Sequence, residues 1–214
     1  LLNTPVEVID TTGDQVLVLD ANGGRHLARQ VIVTVSIGVL KSGAIEFKPE
    51  LPASTIKAYK GIGFDSGMKV AVRFSSPWWE TEGEPLAWLV TEGLAGVCWV
   101  PSDYKKNSAS HILMCYPMGD NSRALRALAG NGNSSAIVNA VLSDLDNTFP
   151  QAPNAASENY IEALVEDWGA DPYTRGAYSY PRVETVLSIE LDNRRRDLKR
   201  PVADDRIFFA GEAT

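Results

Sequence analysis

The chain has 214 residues, 44% of them hydrophobic, with a net charge of −7 and a sequence pI near 4.9. That is enough apolar material for a packed core, and the acidic balance argues against a phosphate-backbone ligand, which clustered Lys and Arg would have to attract. No apolar run approaches the roughly 20 residues of a membrane-spanning helix, so no membrane segment is expected in this chain.

The opening reads as β structure. Val6 to Ile9, Val16 to Leu19 and Val31 to Val35 are three predicted strands, and Asp20 to Gly24 ("DANGG") supplies a turn after the second. Pro52 suits a helix first turn, with Ile56, Tyr59 and Ile62 as an apolar stripe that the glycines of "GIGFDSG" end. Four strand-like runs follow, "MKVAVRF", "LAWLV", "GVCWV" and "HILMCYP", broken by Pro, Gly, Asp and Ser clusters. Two helices come next, "NSRALRALAG" and "SSAIVNAVLSDLDNTF"; in the second, Ile137, Val141 and Leu145 lie four apart with Phe149 completing the face. A strand then runs into Trp168, and a loop rich in Gly, Tyr and Pro leads to "GAYSYP". "RRRDLKR", Arg194 to Arg200, reads as a solvated loop, and "RIFF" before Gly211 reads as a strand buried on both faces.

Candidate chemistry is sparse by pattern alone. "GIGFDSGMKV" is no dinucleotide fingerprint, because it runs from helix into strand and its third glycine is one position late. His26 and His111 are isolated, and no metal-ligand spacing or nucleophile elbow occurs. Cys98 and Cys115 each lie in an apolar run, where a thiol acts as a small hydrophobe. They could face each other on neighbouring strands, but no disulfide framework is implied, and a reduced, cytoplasmic setting is favoured. Lys69 alternates onto the face opposite Met68, Val70 and Val72 and would pass for a solvated strand residue. Trp168, Tyr173, Tyr178 and Tyr180 would pass for packing aromatics, or for the walls of a cage around an ammonium group or a flat ring.

Four blocks in order, "VIVTVSIGVLKSGAIEFKPELP", "GIGFDSGMKVAVRF" with the later "WW", "WGADPYTRGAYSYP" and "RIFFAGEAT", resemble the C-terminal half of a flavin-containing amine oxidase of the monoamine oxidase, polyamine oxidase and lysine-specific histone demethylase kind. The resemblance implies FAD as cofactor. Val6 would meet the adenine through its backbone, and Gly211, Glu212 and Ala213 would form the turn at the ribityl and phosphate region. Lys69 would sit near flavin N5 through a water, as the catalytic residue. Trp168 would stand at the flavin edge and border the substrate, Tyr178 would be one wall of the substrate cage, and Tyr173 would lie near the cofactor. Ala177 stands where monoamine oxidases carry the cysteine that bonds flavin, so FAD would be noncovalent there. Ser36 replaces the usual proline after "VIVTV", which would loosen that loop.

The same resemblance implies an α+β fold: a mixed, largely antiparallel sheet covered by helices as the substrate-binding domain over 45–180. It would be flanked by pieces of an FAD-binding domain at 1–44 and 181–214. The implied reaction oxidises the C–N bond of a small amine to an imine, with O2 as acceptor and H2O2 as product; no nucleic-acid partner is implied. The glycine loop that grips the pyrophosphate is absent from these residues, so the isolated chain is expected to be inactive. The alternatives are a desaturase or protoporphyrinogen-oxidase-like flavoprotein, or a catalytically silent binding module that keeps the fold.

Overall fold

The structure is a computed structural model, and it describes residues 1–80, 86–101, 111–130, 132–182 and 193–214. The chain divides into two compact units, Leu1–Asp65 with Ala170–Thr214, and Ser66–Gly169.

In the first unit, β1 (Val6–Asp10), β2 (Val16–Asp20), β3 (Arg25–Ala28) and β5 (Glu46–Lys48) form a sheet in the order β3-β2-β1-β5. The turn at 20–24 returns into β3, not into the Val31 run. β3 escapes a pattern reading because "RHLA" is a mostly exposed edge strand. Val31–Val33 (β4) instead pairs in parallel with β13 (Ile207–Phe209), Val33 opposite Phe209. Ile207 and Phe209 are buried and Phe208 only half-buried, so β13 is less enclosed than its apolar composition suggests.

Helices close this core. α1 (Ile37–Ser42) buries Ile37, Val39 and Leu40. In α2 (Ala53–Gly61), Thr55 and Ala58 sit deepest, with Ile56 and Tyr59 half-buried beside them. The reason is close packing on α6 (Asn193–Leu198): a Cβ on Gly61 would meet the Arg194 guanidinium at 2.3 Å. The basic run read as a solvated loop is therefore helical in its first part, with Leu198 buried and Arg194 Nη1 donating to the Gly61 carbonyl. Two short strands, β6 (Gly63–Phe64) and β12 (Ser179–Tyr180), pair antiparallel.

The second unit is an antiparallel sheet in the order β11-β7-β10-β9-β8, built from β7 (Met68–Phe74), β8 (Trp88–Val90), β9 (Val97–Trp99), β10 (His111–Tyr116) and β11 (Tyr160–Asp167). One face carries α3 (Asp120–Ala129) and α4 (Ser134–Thr148), with the short α5 (Ala155–Asn159) beside α4. β7 alternates as its sequence predicts: Met68, Val70, Val72 and Phe74 are buried under Leu125, Ile137, Val141 and Leu145, while Lys69, Ala71 and Arg73 lie on the other face. The α+β expectation, with helices covering a largely antiparallel sheet, describes this architecture.

Cys98 and Cys115 correct the reading of two separate thiols. They are direct partners across β9 and β10, both in the core, and are joined by a disulfide. Neither strand's own pattern encodes its register on the other, so the pairing could not be read from the runs.

Candidate functional site

Lys69 lies on the outer face of the five-stranded sheet, where strand alternation puts it. Its Nζ sits over two rings, 4.3 Å from the Trp99 centroid and 4.1 Å from that of Tyr116. The rings meet edge to face at 6.5 Å, and Trp88 backs Trp99 at 5.4 Å. Burial holds the Lys69 ammonium pKa below the ordinary lysine range. A lysine that reads as a solvated strand residue is thus half-buried in an aromatic corner.

Trp168 follows β11 directly, two residues beyond Glu166, the cross-strand partner of Lys69. What fixes this end of β11 is a charged clamp. Arg126 on α3 donates to both Asp167 oxygens, Nε to Oδ2 at 2.6 Å and Nη2 to Oδ1 at 2.5 Å, and also to Ser66 Oγ at 2.6 Å. Asp167 Oδ1 in turn accepts from the Gly169 amide at 3.1 Å. A Cβ on Gly169 would lie 2.1 Å from Arg126 Nη2, so a side chain there would push the guanidinium out of the clamp.

In the first unit, Tyr178 precedes β12 and is 43% exposed. Its neighbour Ser179 is buried and anchored: the Glu212 carboxylate accepts from the Ser179 amide at 3.1 Å and from its hydroxyl at 2.9 Å. Arg195 completes the anchor, donating to Ser179 Oγ at 2.5 Å and to the Glu212 carbonyl at 3.1 Å. Tyr178 and Glu212, two candidates far apart in sequence, are therefore tied together through one serine. Gly211 has φ of +134°, a conformation that favours glycine, and it follows β13 at the carboxyl ends of the parallel β4–β13 pair. Crevices at such strand ends are where α/β sheets hold ligands.

Ala177 donates its amide to the Asp65 carbonyl at 2.9 Å, and Gly176 lets the loop close onto Phe64, whose ring a Cβ would meet at 2.3 Å. Tyr173 is exposed and shares a cleft with Asn3, Thr4, Pro5, Ala21 and Asn22, beside Val6. Ser36 does not loosen its loop. Its hydroxyl caps α1, accepting from the Val39 amide at 3.1 Å, and donates to the Thr174 carbonyl at 2.5 Å. Gly38 permits that approach.

Sequence reasoning missed Trp99, Tyr116, Arg126 and Arg195, and it named Ser36 but misjudged its effect. The available signal for the first two was alternation: each follows a core cysteine and so points to the face that carries Lys69. Among the described residues, no group of three or more His, Cys, Asp or Glu side chains could hold a metal, and no helix is long and apolar enough to cross a membrane.

Comparison with known proteins gives one consistent result. The family model for flavin containing amine oxidoreductases matches residues 1–214. The chain is similar to probable polyamine oxidase 4 of Arabidopsis thaliana, at 34% identity over 97% of this chain and 38% of that protein. It is also similar to lysine-specific histone demethylase 1B of Mus musculus, at 28% identity over all of this chain and 24% of that protein. Among solved structures, an engineered putrescine oxidase triple mutant superposes with a TM-score of 0.76 at 19% identity, over 99% of this chain and 43% of that one. The chain thus spans less than half the length of each of these relatives.

Proposed function

The chain belongs to the flavin-containing amine oxidoreductase family, and from that premise we propose that it is the substrate-facing part of an FAD-dependent amine oxidase. Polyamine, putrescine and lysine, the amines in the relatives' names, are all aliphatic, so an aliphatic amine is the substrate class assigned. When bound, FAD supplies the oxidising power, taking a hydride equivalent from the carbon beside the amine nitrogen to leave an imine, and O2 restores it with release of H2O2.

The residues of this chain bind, orient and exclude water. Glu212, fixed through Ser179 and Arg195, sits in the open Gly211 turn at the strand ends, a place that fits the cofactor's ribityl side. Tyr178, held by the same serine, offers a ring against which an amine can align. Desolvation in an apolar pocket disfavours the ammonium form, and the neutral amine is the form that can be oxidised. Lys69 would hold a proton or a water at its Nζ. Ala177 offers only a methyl group, so the cofactor would have no covalent link at this position. FAD also needs backbone amides at its pyrophosphate, normally from a strand, a glycine loop and a helix start. These 214 residues contain no such motif, and at a net charge of −7 they offer no substitute. The chain by itself is therefore assigned no flavin and no turnover.

The observation that carries the reading is Lys69, a half-buried ammonium held over two rings on the outer face of the sheet, in a chain that matches the family model from end to end. Lys69→Met in the full-length oxidase tests it. FAD should stay bound while flavin reduction or reoxidation, followed by stopped flow, slows by about tenfold or more. Unchanged rates in both half-reactions would return Lys69 to a structural role, whereas a parent protein whose flavin no amine reduces would leave a binding module as the better account.

A further inference from the structure

We propose that Trp99 and Tyr116 are positioning residues: they clamp the Lys69 ammonium in the corner between their rings and so fix where its N–H donors point. The proposal rests on the reading of Lys69 just given, and it concerns two residues that the reading does not require. Both centroids lie well inside the roughly 6 Å within which a cation is drawn to a ring face. Among the described residues, Lys69 has no hydrogen bond or ion pair, so the rings are what hold it.

Rings suit this task better than a carboxylate. A carboxylate would hold the ammonium by consuming its N–H groups, whereas a ring face attracts the charge and leaves the donors for a water or a reacting partner. A lysine stem is also long and flexible, and two surfaces nearly at right angles restrain it in two directions. The restraint is itself rigid. Trp99 is braced by Trp88, and Cys98 and Cys115, each one residue before a ring, join the two ring-bearing strands covalently behind the sheet.

Among the described residues, the charges that face this corner are few. Glu166 on β11 is the cross-strand partner of Lys69, and Arg73 lies further along β7 beside Glu162, with its Nε 3.0 Å from Oε1. β9 and β10 contribute no charged side chain among Val97–Trp99 and Met114–Tyr116, only the Tyr116 phenol. Burial lowers the Lys69 pKa, and the ring faces oppose that by favouring the charged form. This opposition yields a test in which shape stays constant.

Trp99 is replaced, site-specifically in the 214-residue chain, by tryptophans carrying one, two and three ring fluorines, which drain the ring face of negative potential without changing its bulk. The Lys69 titration is followed by NMR of labelled lysine side chains, with Lys69→Met assigning the signal. The Lys69 midpoint should fall stepwise with fluorine count, by about half a unit to one unit in all. Tyr116→Phe should leave it near the parent value, and Tyr116→Leu should free the side chain to move on the NMR timescale. A midpoint independent of fluorine count overturns the clamp. The same series in the full-length oxidase separates the two claims. If the pH profile of flavin reoxidation shifts in step with the Lys69 midpoint, both stand. If the midpoint moves and the profile does not, the clamp stands and the flavin-side reading of Lys69 falls.

Discussion

A Cβ added to Gly38 would lie 2.6 Å from the Arg175 carbonyl oxygen and 2.9 Å from that of Thr174. Both contacts are to backbone, which cannot swing aside as a side chain can. Gly38→Ala should therefore push the 174–176 segment off α1, strain the bond from Ser36 to Thr174, and cost about 1–3 kcal/mol in urea unfolding. An unchanged unfolding midpoint would show that the loop is not seated on α1. Asp20 gives a second expectation, this time in pH. Its buried carboxylate lies 2.8 Å from His26 Nε2 and accepts from the Gly24 and Asn22 amides at 2.9 Å each. These bonds, that to His26 foremost, hold its pKa below the ordinary aspartate value of 3.8. A depressed carboxylate stabilises the fold above its unfolded value and loses that effect as pH falls through its folded value. The urea midpoint of the parent chain should exceed that of Asp20→Asn from neutral pH down to about pH 4 and converge with it below. A gap that persists undiminished into stronger acid would remove Asp20 as its source. At this scale the sequence is informative about residue type and poor about partners. Lys69 could be named from its block, yet its two rings come from β9 and β10, and no local pattern states which residues those strands bring alongside it.

Elements with strong periodicity were readable for a simple reason: one face of each is buried and the other is not. β7 and α4 both alternate or repeat over enough residues that the core face is unambiguous. β3 and α6 were not readable, because each owes its conformation to what it lies against. β3 is an edge strand with exposed side chains, and the arginines of α6 resemble any solvated basic run until Gly61, Ser179 and Glu212 are in place to receive them. The clamp between α3 and β11 is of the same kind. In Arg126→Met, Asp167 keeps a side chain only 16% exposed but loses the Arg126 guanidinium. The cost should be on the order of 2–3 kcal/mol, below that of breaking a fully buried pair because Arg126 itself is a third exposed. Since Asp167 also holds the Gly169 amide, the emission of Trp168 should shift as well, read as the difference from a Trp168→Phe background. A large loss of stability with Trp168 emission unmoved would mean that the clamp braces the sheet without setting the Trp168–Gly169 turn.

Taken whole, the chain is two units of different construction. The first is assembled from both ends of the sequence: β4 needs β13, β6 needs β12, and α2 needs α6, each pair separated by more than a hundred residues. The second is one continuous stretch, 66–169, with its own core from Met68 to Ala156. It is narrower at both ends than the 45–180 domain expected from the resemblance, because α2 and the 170–180 loop find their partners in the first unit. That division depends on contacts between distant segments, which composition and periodicity do not register. It has a direct consequence for folding. Residues 66–169 expressed alone should give a cooperative urea transition with a stability on the order of 5 kcal/mol, since every strand of the sheet and both covering helices lie within the stretch. Reduction of Cys98–Cys115, which closes a separation of 17 residues, should lower that stability by about 3 kcal/mol without abolishing the fold. Residues 1–65 alone should show no cooperative transition, and adding 170–214 in trans should restore one by supplying β12, α6 and β13. A non-cooperative 66–169, or a 1–65 fragment that folds unaided, would mean that the units are defined by packing in the whole chain and not by independent cores.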